Sequence, residues 1–203
     1  MRELGSSGVS AIVLASGFSR RFSSNKLLLP LGNETVIGMT VRHVMEAGIP
    51  KIAAVIPDGD SMLKRALPES VDKICNPDRD EGIASSIRAG VNRFMESGDA
   101  VLIMNGDQPL LPPSIIKQLI DLFTGNKQKI AACSIGGEPV NPAIFPHVCL
   151  ADLMALKGDR GAKPLILRNM KKVVTIDVDP VFLTDIDTDE DYETVLRVLE
   201  KIG

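Results

Sequence analysis

Short apolar runs rich in β-branched residues alternate with amphipathic stretches along most of the chain, and this alternation constrains the fold more than any other feature. Six runs are predicted to be strands, at residues 9–15, 52–56, 72–76, 100–105, 130–135 and 173–178. Seven stretches have helical periodicity, at residues 36–47, 61–67, 83–97, 112–123, 148–156, 162–169 and 190–201. Strands that alternate with helices in this way build βα units around a mainly parallel sheet.

The length of the chain limits the number of domains. Its 203 residues suffice for a single good core, and no internal repeat or long linker divides them. We predict an α/β fold with one domain at residues 9–203, a mainly parallel twisted sheet with helices on both faces, and a disordered lead-in at residues 1–8. Because open α/β sheets bind ligands beyond the carboxyl ends of their strands, the loops there form the candidate site.

Charge and composition restrict the possible partners. The 23 Lys and Arg residues and 26 Asp and Glu residues give a formal net charge of -3, and aromatic residues make up only 3%. A nucleic-acid-binding protein is therefore disfavoured, and phosphate binding is expected to be local. The run at residues 9–15 is too short to cross a bilayer, and Cys75, Cys133 and Cys149 form no zinc motif. We expect a cytoplasmic protein with reduced core cysteines and no membrane partner.

The first predicted strand leads into a small, hydroxyl-rich, basic loop. After Ala15 the chain continues as Ser16-Gly17-Phe18-Ser19-Arg20-Arg21-Phe22-Ser23-Ser24-Asn25-Lys26. Backbone N–H groups, hydroxyls and cations at a strand end suit a triphosphate, whose charge must be neutralised before its phosphorus is attacked. The loop matches neither a Walker A nor a dinucleotide-binding motif, so an exposed basic surface loop remains the alternative.

Two later segments have polar residues at predicted strand or helix ends. Ser85 and Ser86 lie in the first turn of the helix predicted at residues 83–97, where they either cap the helix or contact a ligand. The segment from Lys157 to Pro164 combines two glycines with charges of both signs. By its residues alone it is either a solvated turn between helices or part of the site.

Two carboxylates follow separate predicted strands. Asp107 lies in Gly106-Asp107-Gln108-Pro109, and Asp187 lies in Asp185-Ile186-Asp187-Thr188, directly before the last helix. Each could serve a helix N-terminus, and Thr188 with Asp191 three residues on forms a weak capping box. As a pair, Asp107 and Asp187 would instead suit Mg2+, which carboxylates usually hold together with phosphate oxygens and water.

These motifs, in their order along the chain, resemble those of a known family. The segment Leu14-Ala15-Ser16-Gly17-x-Ser19-x-Arg21, with Lys26-Leu27-Leu28-Leu29-Pro30 after it, looks like the signature loop of the molybdenum cofactor guanylyl- and cytidylyltransferases. The resemblance continues in Glu81-Gly82-x-x-Ser85-Ser86-x-Arg88-x-Gly90, Gly106-Asp107-Gln108-Pro109, Gly158-Asp159-Arg160-Gly161-Ala162 and Asp185-Ile186-Asp187-Thr188-x-x-Asp191-Tyr192. The Gly106-Asp107-Gln108-Pro109 and Gly158-Asp159-Arg160-Gly161 motifs look like those of the cytidylyltransferase branch in particular.

The resemblance implies a Rossmann-like nucleotidyltransferase fold and a function. CMP would be transferred from CTP to the phosphate of the molybdopterin cofactor with Mg2+, or Mn2+, and a recipient molybdoenzyme would be a further partner. The resemblance implies that Arg21, Lys26 and Asp107 are catalytic and that Asp107 and Asp187 bind the metal. The residues implied to contact the nucleotide are Leu14, Ala15, Ser16, Gly17, Phe18, Ser19, Arg21, Lys26, Gly82, Ser85, Ser86 and Asp107. Those implied to contact the acceptor are Asn141, Gly158, Asp159, Arg160 and Gly161.

The chain departs from the pattern of this family at three places. Phe22-Ser23 replaces Met-Gly, and Asn141-Pro142 stands where relatives often have His-Pro. Ser16 occupies a position that is typically Ala in cytidylyl members and Gly in guanylyl members. A side chain at this position narrows the base pocket, which favours a pyrimidine. His43 and His147 do not lie in register with the missing histidine, and neither is assigned a catalytic role.

Two alternative functions stay open at this point. One is a sister enzyme that uses GTP or a different phosphorylated acceptor, such as a sugar phosphate. The other is a carrier that holds molybdopterin without catalysis. Retention of Arg21, Lys26, Asp107 and Asp187 counts against the carrier, because a carrier needs no pair of metal-binding carboxylates.

Overall fold

Strands and helices alternate along the chain as the sequence predicts. The computed structural model describes residues 8–18, 22 and 25–202, so the predicted lead-in lies almost entirely outside the described residues. The strands are β1 (Val9–Leu14), β2 (Pro30–Leu31), β3 (Glu34–Thr35), β4 (Ile52–Pro57), β5 (Asp72–Asn76), β6 (Ala100–Asn105), β7 (Ile130–Ile135), β8 (Glu138–Phe145) and β9 (Val173–Asp177). The helices are α1 (Val36–Glu46), α2 (Ser61–Ala66), α3 (Ile83–Phe94), α4 (Pro113–Thr124), α5 (Leu150–Met154), α6 (Lys163–Arg168) and α7 (Asp189–Ile202).

The main sheet has seven strands in the order β5-β4-β1-β6-β8-β7-β9. Only β8 is antiparallel to its two neighbours, and the other pairings are parallel. The two-residue strands β2 and β3 form a separate antiparallel pair. This topology places the carboxyl ends of β5, β4, β1 and β6 at one edge of the sheet, where the candidate site lies.

Helices cover both faces of the sheet, as predicted. Residues of α1, α2, α4 and α7 pack in one core cluster, and residues of α3, α5 and α6 pack in the other. Along β1, Ala11 and Val13 belong to the first cluster, whereas Ile12 and Leu14 belong to the second. This alternation follows from the period of two in a strand, and both faces of β1 are apolar because both are covered.

Gly90 allows α3 to approach β1 closely. A Cβ atom at this position would overlap Cγ2 of Ile12 and lie 3.2 Å from Cγ2 of Val55. We expect Gly90→Ala to lower the free energy of unfolding by about 1–3 kcal/mol, because extra volume in a packed core forces its neighbours to shift. Urea unfolding tests this value. Gly125→Ala is the control, since a Cβ there meets no atom closer than 3.7 Å and should change stability little.

The sequence analysis missed β8 because the strand contains Pro139 and Pro142, which weaken a strand pattern. In the structure, Ala132 of β7 pairs with Ala143 and the next residue, Cys133, pairs with Val140. Asn141 and Pro142 therefore bulge out of the ladder. Because proline has no N–H to donate, a bulge is a position where it costs no ladder hydrogen bond.

The cysteines differ in burial from the prediction of three core residues. Cys133 lies in the core, but Cys75 and Cys149 are only partly buried, and all three are free thiols. Burial raises the pKa of the Cys133 thiol to about 12, so this residue stays protonated and unreactive at neutral pH. Within the described part of the chain, no helix is both long and apolar enough to cross a membrane.

His43 has a structural role in α1, in agreement with its apolar surroundings in the sequence. Its Nδ1 lies 2.8 Å from the carbonyl oxygen of Leu111, which joins α1 to the segment before α4. Burial lowers the pKa of His43 below its ordinary value of 6.5. As the pH falls, the unfolded chain takes up a proton near pH 6.5, whereas the folded chain does so only at its lower pKa. The stability that depends on neutral His43 is therefore complete above pH 6.5 and is lost as the pH falls from 6.5 through the folded pKa.

We expect His43→Gln to weaken this pH dependence. The free energy of unfolding of the native protein should fall more between pH 7.5 and pH 5 than that of the variant. Other titrating groups cancel in this difference because they are common to both proteins. Denaturant unfolding at the two pH values measures it, and equal pH dependence in the two proteins would contradict the assignment.

Candidate active site

The candidate site lies at the edge of the sheet where β1, β5 and β6 end. A cavity of about 520 Å3 opens there, between the segment after β1, the start of α3 and the segment before α6. Nine of the residues predicted to bind a nucleotide line this cavity: Leu14, Ala15, Ser16, Gly17, Phe18, Lys26, Gly82, Ser86 and Asp107. Ser19 and Arg21 lie outside the described residues, so their predicted roles stay predictions.

Lys26 joins the two carboxylates that the sequence analysis paired. Its Nζ lies 2.6 Å from Oδ2 of Asp107 and 2.8 Å from Oδ1 of Asp187. The backbone N–H of Ile186 donates to the carbonyl oxygen of Asp107 at 3.1 Å, which holds the segment before α7 against the end of β6. Three segments that are far apart in the sequence thus meet at one ammonium group.

The N-terminus of α7 is capped by residues other than Asp187. The backbone N–H and hydroxyl of Thr188 both donate to Oδ2 of Asp191 at 2.8 Å, and the N–H of Asp191 donates back to the Thr188 hydroxyl at 3.2 Å. This reciprocal arrangement confirms the predicted capping box. The Asp187 carboxylate contacts Lys26, as its Oδ1–Nζ distance of 2.8 Å shows.

A third carboxylate, that of Asp185, increases the negative charge of the site. Burial and the neighbouring Asp107 raise the pKa of Asp185 to about 6, although Nδ2 of Asn105 donates to Oδ1 of Asp185 at 3.3 Å and opposes the shift. Burial alone would lower the pKa of Lys26, but Asp107 and Asp187 outweigh it and raise that pKa above 10.5. Lys26 is thus a permanent cation in an acidic pocket.

The acidic residues fit a divalent metal that a substrate would help to bind. Oδ1 of Asp107 is buried and has no hydrogen-bond partner, so it retains the capacity to bind a cation. Among the described residues, no three His, Cys, Asp or Glu side chains are arranged to hold a metal alone. Asp107 and Asp187 would therefore be two protein ligands, with phosphate oxygens and water completing the coordination of a hard cation.

Ser16 and Ser86 belong to a buried cluster of polar side chains at the cavity. Their hydroxyl oxygens are 2.5 Å apart, and Nδ2 of Asn76 donates to Ser86 at 3.1 Å and to Ser85 at 2.9 Å. The Ser85 hydroxyl donates to the carbonyl oxygen of Gly82 at 2.8 Å. Ser86 lines the cavity, whereas Ser85 contacts the protein and is not among the lining residues.

A second cavity of about 400 Å3 adjoins the first and shares Ile83, Asn105 and Asp159 with it. Four residues predicted to contact the acceptor line it: Asn141, Asp159, Arg160 and Gly161. The fifth, Gly158, lines the first of these two cavities but not the second. The structure thus brings both predicted groups of residues to adjoining spaces.

Gly82 fixes the position of the segment between the two cavities. Its φ is +89°, and a Cβ there would lie 2.8 Å from the carbonyl group of Gly158, so only glycine fits. The N–H of Ala84 donates to the oxygen of Gly158, and the N–H of Ile83 donates to Oδ1 of Asp159, both at 3.1 Å. Asp159 therefore also stabilises the N-terminus of α3.

The site residues that were not assigned from the sequence include Asn76, Arg79, Asn105 and Asp185. Asn76 and Asn105 are the last residues of β5 and β6, so their position at strand ends was the available signal. Arg79 lies in the segment before α3 and contacts Phe18 of the first loop. No spacing in the sequence indicates that contact, because it depends on the folding of two distant segments.

The protein thus has a three-layer α/β fold with a lysine–carboxylate site at the carboxyl ends of its strands. Residues 11–173 match the model of the MobA-like NTP transferase domain, and the chain belongs to this family. The coarser part of the predicted function, nucleotidyl transfer, is thereby confirmed.

Relatives of known name or structure agree with this family. The purine catabolism protein PucB of Bacillus subtilis (strain 168) is 28% identical over 93% of this chain and 96% of its own length. Rv0371c of Mycobacterium tuberculosis H37Rv is 27% identical with a TM-score of 0.80, over 93% of this chain and 97% of that one. Its complex with manganese gives a TM-score of 0.77 at 26% identity, over 93% and 98% of the two chains.

The fold is also that of a nucleotidyl transferase from Methanothermobacter, with a TM-score of 0.83. The two chains are 23% identical over 96% of this chain and 99% of the other. This similarity confirms the predicted fold class.

Proposed function

We propose that the protein transfers CMP from CTP to the terminal phosphate of the molybdopterin cofactor and releases pyrophosphate. The observation that carries the proposal is the bridge of Lys26 between Asp107 and Asp187, next to two adjoining cavities. One cavity would hold the nucleotide and the other the acceptor. Both volumes are in the range of about 300–1,000 Å3 that small-molecule sites usually have.

The reaction would be a displacement at the α-phosphorus of CTP. An oxygen of the acceptor phosphate forms a bond to this phosphorus, the bond to the oxygen that bridges the α- and β-phosphates breaks, and pyrophosphate leaves. Because the attacking phosphate is already an anion, no general base is needed. The protein would align the two phosphates and neutralise the charge on the leaving group.

Lys26 has the position and charge to neutralise the leaving group. Its ammonium lies between two carboxylates, and it would contact the triphosphate together with Arg21 and Ser19. Asp107 and Asp187 would hold Mg2+ or Mn2+, and a hard cation there neutralises charge on phosphate oxygens. Manganese in the Rv0371c structure supports a divalent metal in this family.

The nucleotide and acceptor would occupy opposite sides of this centre. Ser16, 2% exposed, lies at the first cavity with Ser86, and its side chain reduces the space for a base, which supports a pyrimidine. Asn141 and Arg160 line the second cavity and would contact the acceptor. The resemblance of the Gly106-Asp107-Gln108-Pro109 motif to the cytidylyltransferase branch supports molybdopterin as that acceptor.

Pyrophosphate release tests the proposal. The purified protein is incubated with Mg2+ and the molybdopterin cofactor, and CTP is compared with GTP, ATP and UTP, with reactions lacking the cofactor as controls. We expect release with CTP that depends on the cofactor. Release with GTP alone would contradict the base assignment, and no release despite measurable binding of the cofactor would favour a carrier.

A further inference from the structure

Arg79 contacts the segment after β1 at the first cavity. Its guanidinium carbon lies 3.7 Å from the centre of the Phe18 ring, and Nη2 donates to the carbonyl oxygen of Gly17 at 3.3 Å. Arg79 and Phe18 both line the cavity. The segment before α3 is thus joined to the start of the loop that is predicted to bind the triphosphate.

Arg79 differs in its partners from Lys26, the other cation that lines this cavity among the described residues. Lys26 is paired with Asp107 and Asp187, and Glu81 is paired with Arg88. None of the ion pairs among the described residues includes Arg79. Its Nε is also buried and has no hydrogen-bond partner. A cation with an unsatisfied buried donor, in a cavity for an anionic ligand, is a candidate contact for that ligand.

We propose that Arg79 binds the phosphate chain of the nucleotide and that Phe18 holds its guanidinium in place. The inference rests on the proposed use of CTP and adds a third phosphate-binding cation to Arg21 and Lys26, from a segment other than the loop that contains them. The position fits the phosphates better than the base, because Arg79 contacts Gly17 and Phe18, which directly precede the predicted phosphate-binding residues. The base would lie at the buried hydroxyls of Ser16 and Ser86.

Stacking on Phe18 prepares the guanidinium for an anion without neutralising it. A carboxylate partner would compete with phosphate, whereas an aromatic ring restricts the side chain and leaves its charge available. The planar group also presents several donors in a fixed arrangement, which suits the oxygens of a phosphate chain. The guanidinium is therefore oriented at the cavity with its charge available to an anionic ligand.

Binding measurements with Arg79→Ala and Arg79→Lys test the inference. The dissociation constant of CTP is measured by calorimetry, and binding of inorganic tripolyphosphate is measured by its competition with CTP. We expect Arg79→Ala to weaken both ligands by about 10- to 100-fold, the range for loss of hydrogen bonds from a charged group. Arg79→Lys should recover part of the loss, because it keeps the charge but not the planar arrangement.

Comparing CTP with tripolyphosphate distinguishes a loss of phosphate binding from a general effect on the cavity. If Arg79→Ala weakens CTP but not tripolyphosphate, the residue shapes the base site, and the inference is wrong. Unchanged CTP binding, or no competition by tripolyphosphate in the native protein, also contradicts it. A native protein that binds no nucleotide would contradict the proposed function instead, and if it prefers GTP the same variants are measured with GTP.

Two further variants control for the stacking and for the fold. Phe18→Ala should weaken tripolyphosphate by about threefold, because an exposed cation–π contact is modest, and Phe18→Leu should not restore it. Arg93→Ala is the matched control, since Arg93 also lies over a ring, that of Phe94 at 5.6 Å, but at the far end of α3. Its ligand binding should equal that of the native protein, and circular dichroism checks that every variant is folded.

Discussion

Replacing Lys26 with alanine is expected to reduce turnover about 30- to 800-fold at saturating CTP and Mg2+, which corresponds to about 2–4 kcal/mol of lost transition-state stabilisation. The reason is that Lys26 would meet charge that grows as pyrophosphate departs. An interaction that strengthens in the transition state acts mainly on kcat rather than on KM. Steady-state rates of pyrophosphate release measure the change, and a fall of less than about threefold would remove Lys26 from the mechanism.

Lys51→Ala is the matched control for Lys26→Ala. Lys51 pairs with Asp99 at 2.8 Å, but the two residues precede β4 and β6 and therefore lie at the opposite edge of the sheet from the site. Lys51→Ala breaks a lysine–aspartate pair without touching the cavities, and its turnover should stay near that of the native protein. A similar loss in both variants would point to a general effect on stability.

The sequence analysis identified the βα alternation because the signals for strands and those for helices are both local. The run Val9–Leu14 is apolar on both faces, and the segment Val36–Glu46 begins with Thr35, whose hydroxyl accepts a hydrogen bond from the N–H of Gly38. Neither feature depends on a distant residue. Strand β8 was missed because prolines usually end a strand, and only its pairing with β7 and β6 shows that Pro142 is tolerated in a bulge.

The local sequence likewise indicates some features of the site, whereas other features depend on the tertiary fold. Lys26, Asp107 and Asp187 were named from their motifs, but their meeting at one ammonium group depends on the sheet order. The Ser16–Ser86 contact and the Arg79–Phe18 contact join residues 70 and 61 positions apart, and they create environments that the side chains alone do not define. The electrostatic state of Asp185 is likewise a product of its burial beside Asp107.

Dependence on a divalent metal is the property that Asp107 is expected to control. Asp107→Asn keeps the size of the side chain but removes the charge that would bind the metal and orient Lys26. We expect about 2–4 kcal/mol of lost transition-state stabilisation and a higher Mg2+ or Mn2+ concentration at half-maximal rate. Rates of pyrophosphate release across a titration of each metal measure both effects, and an unchanged metal dependence would contradict the assignment of Asp107 as a ligand.

A second measurement on Asp107→Asn reports on the site without any substrate. The charge of Asp107 contributes to the pKa of about 6 at Asp185, so its removal should move that pKa toward the ordinary 3.8. Carboxyl NMR of the ligand-free protein follows the titration. Asp99→Asn is the matched control, because Asp99 and Asp107 side chains are both 15% exposed and each pairs with a lysine. An effect on Asp185 in Asp107→Asn alone would show that the two carboxylates interact, whereas an equal shift in both variants would reflect a change in the fold.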